Sequence, residues 1–188
     1  MKYRTIVADP PWEVQAGPRS LHDAGEQSRP LTYPTMTDGE IACLPVANLA
    51  EGEAHLYLWT INSKVRVAYS IAESWGFKPS TLLVWCKAPK GRGLGGTFAT
   101  ATEFVLFARR GTLAALSHVD RNWWQWQRGL HSAKPEAFLD MVERVSPSPR
   151  LELFARRNRL GWDTWGNEAL DHLKVGRPRF PMEQTVYP

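Results

Sequence analysis

Short apolar strands that alternate with amphipathic helical segments constrain the fold of this chain more than any other feature of its sequence. Residues 54–60 form an apolar run typical of a buried strand, residues 65–75 place apolar side chains at helical spacing, and residues 81–86 form another apolar run. A strand, a helix and a strand in this order predict a βαβ unit with parallel pairing. The chain is therefore predicted to be an α/β protein with a mostly parallel sheet and helices on both faces.

Local signals predict where several of these elements begin and end. Thr37 and Glu40 form a capping box, so a helix is predicted to start there and to end near Pro45. Asn62 is predicted to cap the helix that ends at Gly76, where glycine allows a left-handed conformation.

The C-terminal half continues the pattern. An apolar run at residues 102–108 follows the run at residues 81–86 after a long connection without helical spacing, which predicts an antiparallel hairpin at a sheet edge. Residues 112–133 show no clear periodicity, and a helix is predicted to begin at Pro135 and to end before Pro147. The remaining strands are predicted at residues 5–8, 151–155 and 161–166.

Length and composition predict one domain. At 188 residues, the chain is predicted to form a single domain over residues 1–170, with an extended or disordered extension over residues 171–188. Its beginning has the pattern of a strand and no apolar run approaches the roughly 20 residues needed to cross a bilayer, so a cytoplasmic protein is predicted. Cys43 and Cys86 lack the spacing of metal ligands or redox pairs and are interpreted as small buried apolar residues.

The turn Asp9-Pro10-Pro11-Trp12 directly follows the first apolar strand. Ligands of open α/β sheets bind beyond the carboxyl ends of the strands, so this turn is predicted to lie in an active site. Each proline fixes φ near about −65° and lacks a backbone N–H, which predicts a rigid turn with outward-facing carbonyl groups. A carboxylate, a carbonyl oxygen and an indole face together suit a planar group that bears an exocyclic amine.

Positive charge is concentrated in the middle of the chain. Residues 87–128 carry 7 basic and 2 acidic residues, interleaved with glycines and with Trp123, Trp124 and Trp126. This composition suits a polyanion with exposed bases, and a solvated loop beside a tryptophan-rich edge of the core explains it equally well. Residues 15–32 are predicted to be a surface loop, which either forms a lid over the turn at Asp9 or has no such role.

The turn Asp9–Trp12 resembles the signature of the MT-A70 family of adenine-N6 methyltransferases. Further motifs follow in the family's order and extend the resemblance over roughly residues 3–168, namely Tyr33–Thr37, His131–Pro135, Leu153–Arg156 and Trp165–Glu168. The resemblance implies a single Rossmann-like methyltransferase domain with a circularly permuted motif order, in which the catalytic strand comes first and the cofactor-binding strand comes late. It also implies S-adenosylmethionine as the cofactor. At position 155, where related sequences often have glycine, this chain has alanine.

The resemblance implies roles for individual residues. Asp9 and the carbonyl of Pro10 would each accept one amino hydrogen of adenine, Pro11 would complete the catalytic turn, and Trp12 would stack on the flipped base. Asp9 is also placed at the cofactor. Tyr33 would lie at the base pocket, and Glu103 would contact the target nucleotide or face outward as an ordinary strand residue. Lys134 would contact the cofactor carboxylate or a substrate phosphate. Arg156 and Asn158 would contact the ribose and methionine parts of the cofactor, and Asn167 and Glu168 would contact its ribose.

DNA is the predicted partner, because the sequence shows no added RNA-binding module and small stand-alone members of the family are typical of bacteria and their viruses. RNA adenine methylation is one alternative, and a non-catalytic nucleic-acid-binding subunit of the same fold is another. The intact motif Asp9–Trp12 favours an active enzyme over this second alternative. Neither a metal nor a membrane partner is predicted. The protein is expected to be a monomer or a homodimer, and a partner subunit is left open.

Overall fold

The structure is a computed structural model that describes residues 1–13, 34–87, 98, 100–127 and 133–166. The strands in this part of the chain are β1 (Tyr3–Ala8), β2 (Ala50–Thr60), β3 (Lys78–Lys87), β4 (Thr102–Arg110), β5 (Trp123–Trp126), β6 (Arg150–Leu153) and β7 (Asp163–Trp165). The α-helices are α1 (Asp38–Ala42), α2 (Val46–Leu49), α3 (Val65–Ser74) and α4 (Glu136–Val145). None of the helices in these ranges combines the length and apolar character needed to cross a membrane.

The strands form one 7-stranded sheet in the order β5-β3-β4-β2-β1-β6-β7. Strand β1 pairs in parallel with β2 on one side and with β6 on the other, and β7 continues the parallel pairing beside β6. Strand β4 runs antiparallel to β2 and β3, and β5 pairs in parallel with β3. The predicted mostly parallel α/β sheet is confirmed.

The predicted βαβ unit is correct in strand direction and wrong in pairing. Strands β2 and β3 run the same way, but β4 lies between them and pairs with both. The antiparallel hairpin of β3 and β4 is confirmed, and β5 lies outside it at the edge. The interior position of β4 has a physical reason, because its residues Val105–Ala108 are all buried and an interior strand has neighbours on both sides.

Residues along the central strands alternate between two hydrophobic cores, one on each face of the sheet. Ile6 and Ala8 of β1 belong to the core that α3 completes, whereas Val7 belongs to the core that α4 completes. Strand β2 alternates in the same way, with Leu58 on the α3 side and Trp59 on the α4 side. Helices therefore cover both faces of the sheet, as predicted.

The helix signals were mostly correct because they act locally. The Thr37 side chain accepts a hydrogen bond from the N–H of Glu40, and the Glu40 carboxylate accepts one from the N–H of Thr37, which confirms the capping box. Gly76 has a φ of 80°, which confirms the left-handed end of α3. The predicted cap at Asn62 is wrong, because Asn62 begins a 3-10 helix that ends at Lys64, and no side chain caps α3.

Two further expectations differ from the structure. Strand β5 lies within residues 112–133, where the sequence shows no periodicity, because a four-residue strand with three tryptophans has no clean alternation. Cys43 is exposed rather than buried, since it follows the last residue of α1 at the surface, whereas Cys86 is partly buried. The predicted loop at residues 15–32 and the extension at residues 171–188 lie outside the described residues.

Candidate active site

The carboxyl ends of the parallel strands and the beginning of the antiparallel β4 meet at one edge of the sheet. Asp9 directly follows β1, and Glu103 is the second residue of β4, paired with Trp85 near the end of β3. Lys134 lies two residues before α4. The fold thus brings together three predicted site residues that are far apart in the chain.

Asp9, Glu103, Lys134 and Lys87 form a cluster of alternating charges, called the ion cluster below. Lys134 Nζ lies 2.8 Å from Asp9 Oδ1 and 3.3 Å from Glu103 Oε2, and Lys87 Nζ contacts the other carboxylate oxygen of Glu103. The four side chains are only 15% to 23% exposed. Two positive and two negative charges therefore balance each other in a partly dehydrated environment, where each ion pair is stronger than at the open surface.

The charges of the ion cluster fix the protonation states of two of its members. Burial lowers the pKa of Lys134, but the attraction of the Asp9 and Glu103 carboxylates outweighs this effect and raises the pKa above its ordinary value. Burial raises the pKa of Glu103, while Lys134 and Lys87 lower it and leave it below its ordinary value. Lys134 is therefore a fixed cation at neutral pH, and its Nζ also lies 5.0 Å from the centre of the Trp59 ring.

The turn after β1 is anchored through its own carbonyl groups. The Pro10 carbonyl accepts the N–H of Trp12 at 2.9 Å, and the Pro11 carbonyl accepts the N–H of Met36 at 2.9 Å. The expectation that these carbonyls face outward without partners is wrong, because Trp12 and Met36 supply the donors that the prolines lack. A carbonyl oxygen accepts two hydrogen bonds, so the Pro10 oxygen keeps acceptor capacity.

Trp12 is 5% exposed, and its indole N–H donates to the Trp59 carbonyl at 3.0 Å. It packs with Met36 in the core on the α3 side of the sheet. Trp12 therefore supports the turn from the interior, and its stacking on a base stays a prediction.

The predicted cofactor turn follows β6, the strand next to β1. Phe154 has a φ of 65°, which is unusual for a residue with a side chain, and the Ala155 N–H donates to the Trp165 carbonyl at 3.1 Å. A Cβ on Gly166 would lie 2.2 Å from the Ala155 carbonyl oxygen, so only glycine fits there without a backbone shift. Alanine at position 155 is accommodated, since this residue is 1% exposed and packed in place.

Arg156 and Asn158 are exposed on this turn. The Asn158 side-chain oxygen accepts the Thr164 hydroxyl at 3.0 Å, which joins the turn to β7. Arg156 and Asn158 thus lie next to the strand that carries Asp9, at the same edge of the sheet.

Arg159 fastens the turn to α4. Its guanidinium lies 2.8 Å from Glu143, 2.5 Å from Asp140 and 3.0 Å from Glu136, which are spaced along one face of the helix. The same Glu143 oxygen accepts the indole N–H of Trp162 at 2.7 Å. The turn after β6 and the helix that follows Lys134 are therefore held as one unit.

Glu152 is a site residue that the sequence analysis missed. It lies on β6 opposite Val7 of β1, and its Oε2 atom is buried without a hydrogen-bond partner among the described residues. Burial, followed by the nearby charge of Asp9, raises the pKa of Glu152 to about 7. Its signal in the sequence was an acidic residue within an apolar strand, directly before the predicted cofactor turn.

The remaining predicted site residues, Tyr33, Asn167 and Glu168, lie outside the described residues. Within the described part of the chain, no group of three or more His, Cys, Asp or Glu side chains is arranged to hold a metal ion.

A mostly parallel sheet covered by helices on both faces, with a charged site at the carboxyl ends of its strands, defines a Rossmann-like methyltransferase fold. The chain belongs to the MT-A70 family, whose model matches residues 3–168.

Curated relatives agree with this assignment. The chain is 32% identical over 187 residues to the type II methyltransferase M.MunI of Mycoplasma sp, with 91% of this chain and 79% of that protein covered. It is 28% identical to a putative N(6)-adenosine-methyltransferase MT-A70-like protein of Medicago truncatula, with coverages of 89% and 26%. It is 25% identical to the human N(6)-adenosine-methyltransferase catalytic subunit METTL3, with coverages of 89% and 28%. The chain therefore spans about a quarter of the plant and human relatives and most of the bacterial one.

Proposed function

We propose that this protein transfers a methyl group from S-adenosylmethionine to the N6 amine of adenine in DNA, and that the domain responsible spans residues 1–170. One observation carries the proposal. Asp9 lies at the carboxyl end of β1 with its Oδ1 held 2.8 Å from Lys134 Nζ, while Oδ2 has no ion-pair partner among the described residues. A carboxylate with one oxygen held by an ion pair and the other without one suits an amine that must donate a hydrogen bond as it reacts.

The donor set at this edge of the sheet fits S-adenosylmethionine. This cofactor combines an ammonium group, ribose hydroxyls, a carboxylate and a sulfonium. Glu152 offers a buried oxygen without a described partner for the ammonium or a hydroxyl, and Lys134 and Arg156 offer cations for the carboxylate. Asn158, together with the predicted contacts of Asn167 and Glu168, would hold the ribose and methionine parts.

In the proposed reaction the protein positions the amine and stabilises its developing charge. Bound S-adenosylmethionine supplies an electrophilic methyl group. Adenine N6 is a weak nucleophile because its lone pair is delocalised into the ring. Asp9 and the remaining lone pair of the Pro10 carbonyl accept the two amino hydrogens, which favours a pyramidal nitrogen and stabilises its positive charge. Lys134 would limit rotation of the Asp9 carboxylate. As the nitrogen takes the methyl group, the bond between methyl and sulfur would break and leave a neutral thioether, and the nitrogen would release one proton to water.

Support for the polymer comes from the relatives and from charge. The type II methyltransferase M.MunI covers most of this chain and has most of its own length covered, which favours DNA. The N(6)-adenosine-methyltransferases of plants and animals favour RNA as the alternative. The excess of positive charge in residues 87–128 suits either polyanion.

A methyl-transfer assay with isotopically labelled S-adenosylmethionine tests the proposal. Unmethylated DNA and RNA are incubated in parallel with the full chain, digested to nucleosides and analysed by mass spectrometry. We expect labelled N6-methyladenine from DNA. Label in RNA alone would mean that RNA, and not DNA, is the substrate. Label on cytosine would refute the proposed target atom, and cofactor binding without label would point to a missing partner subunit. Without cofactor binding, the non-catalytic alternative would be favoured.

Replacement of Asp9 tests the assigned chemistry. Asp9→Ala removes one charge-assisted hydrogen bond worth about 1.5–3 kcal/mol, so the methyl-transfer rate should fall at least about 10-fold while cofactor binding changes much less. Asp38→Ala is the matched control, because Asp38 forms a similar ion pair with Lys64 at 2.7 Å outside the ion cluster. An unchanged rate for Asp9→Ala would exclude the proposed role of Asp9.

A further inference from the structure

An open cavity of about 320 Å³ lies beside the ion cluster and shares Lys134 with it. Its walls include Trp126 at the end of β5, Lys134 and Pro135 before α4, Glu136 in the first turn of α4, and Arg157 on the turn after β6. Asp9 does not line this cavity, although Lys134, which does, contacts Asp9. The cavity is therefore next to the proposed reaction centre and separated from it by one side chain.

The aromatic wall of this cavity is rigid and flat. The rings of Trp124 and Trp126 are stacked, with their planes 8° apart and their centres at 5.2 Å. Both rings pack partly against the core on the α4 side. The Trp126 carbonyl accepts the indole N–H of Trp85 at 2.9 Å, which fixes the end of β5. Trp126 thus lines the cavity, with its ring stacked on Trp124 and its backbone held by Trp85.

Two of the other residues that line the cavity, Lys134 and Arg157, are cations, and a third, Glu136, is a carboxylate that contacts Arg157. Lys134 is a fixed cation, and the Arg157 side chain is 46% exposed while it contacts Glu136. Proteins that bind nucleotides combine an aromatic ring, on which the base stacks, with basic side chains, which attract the phosphate. A purely apolar or cationic ligand would not match this combination.

We propose that this cavity binds the nucleotide that flanks the methylated adenine, with its base stacked on Trp126. The inference rests on the proposed function, because it places the polymer across the edge of the sheet that carries Asp9. The flanking nucleotide fits the cavity better than the target does, since the target amine must reach Asp9, and Asp9 lies outside the cavity walls. In this proposal, the tryptophan-rich end of the basic segment binds the base of the flanking nucleotide.

Equilibrium binding of a fluorescent oligodeoxyadenylate to the full chain tests this site and needs no known recognition sequence. Trp126→Leu keeps apolar bulk without an aromatic face, whereas Trp126→Phe keeps a smaller aromatic face. We expect the leucine variant to weaken binding about five- to 100-fold and the phenylalanine variant to weaken it much less. Tyr69→Leu is the matched control, since Tyr69 is an aromatic side chain of α3 that is 38% exposed and does not line the cavity.

The outcomes separate this inference from the proposed function. Loss of binding in Trp126→Leu, with cofactor binding retained and Tyr69→Leu unaffected, supports the site, whether or not the chain methylates DNA. If wild type methylates DNA, Trp126→Leu should raise KM for DNA more than it lowers kcat. Equal binding by wild type and Trp126→Leu, equal losses in both leucine variants, or no binding of the oligonucleotide by wild type would each overturn the inference. Absence of methyl transfer by wild type would count against the proposed function alone.

Discussion

Lys134→Met removes the cation that holds two carboxylates of the ion cluster. Asp9 and Glu103 would then face each other with only Lys87 left beside Glu103. Breaking a fully buried ion pair by removing one partner costs about 3–5 kcal/mol. Because these side chains keep 15% to 23% exposure, we expect the free energy of unfolding to fall by about 2–3 kcal/mol. The methyl-transfer rate should fall at least about 10-fold, since Asp9 loses the contact that orients it.

Chemical denaturation of wild type, Lys134→Met, Glu103→Gln and the double variant measures the coupling between the two side chains. A contact at 3.3 Å predicts a coupling free energy of about 1 kcal/mol or more. The effect has a defined pH dependence. The pKa of Glu103 is lowered in the folded protein, so its contribution to stability is present above its ordinary pKa of 4.5 and is lost as the pH falls further. The difference between wild type and Lys134→Met should therefore shrink in acid.

Lys64→Met is the matched control for this series. Lys64 also forms a short ion pair, at 2.7 Å to Asp38, and its side chain is 16% exposed, but it lies outside the ion cluster. This variant should lose some stability and keep full methyl transfer. Additive effects of Lys134→Met and Glu103→Gln, together with an unchanged rate, would refute the view that Lys134 organises the site.

Three further predictions concern elements that support the site. Burial lowers the pKa of His55, so its contribution to stability should be complete above its ordinary pKa of 6.5 and decline as the pH falls below it, which thermal unfolding across pH would show. Gly166→Ala should weaken cofactor binding in calorimetry, because the new Cβ would lie 2.2 Å from the Ala155 carbonyl oxygen and displace the cofactor turn. Arg159→Ala should weaken cofactor binding several-fold with little change in polymer binding, because the turn loses its contacts with α4, including Glu143.

Each of these predictions has a control or a contrary outcome. His55→Phe should remove the acid dependence, and an unaltered pH profile would mean that another group causes it. Gly161→Ala is a control for Gly166→Ala, since Gly161 has open space around it but a φ of 81°, so it tests backbone strain without a clash. For Arg159→Ala, an equal loss of polymer and cofactor binding would indicate general destabilisation instead of a local effect.

Local signals in the sequence predicted the fold well, and neighbour relations were harder. The capping box at Thr37 and the left-handed Gly76 involve residues a few positions apart, so the local sequence alone specifies them. The insertion of β4 between β2 and β3 was not predictable, because the runs at residues 81–86 and 102–108 are both apolar and either could lie inside the sheet. Strand β5 escaped prediction because its pairing with β3, and not an intrinsic pattern, makes it a strand.

In the candidate site, too, local features were predictable and contacts between distant residues were not. The turn at Asp9 was predictable because a strand delivers it to the sheet edge, and the structure brings Glu103 and Lys134 to it. Lys87 belongs to the basic segment of residues 87–128 in the sequence analysis, although it closes the ion cluster, because sequence does not show which cation meets which carboxylate. The occupied carbonyl of Pro11 was missed for a similar reason, since its donor comes from Met36, far along the chain.

The connection between β3 and β4 is a segment that could be exchanged without changing the sheet. The connection leaves the sheet after Lys87 and returns at Thr102, and the Lys87 N–H donates to the Ala101 carbonyl at 2.8 Å, so the two ends are joined. The entropy of closing such a connection grows only slowly with its length. Insertions, deletions or whole exchanges between these ends should therefore leave the sheet register intact. A library built between these two ends would test whether this connection contributes to the proposed recognition of the target.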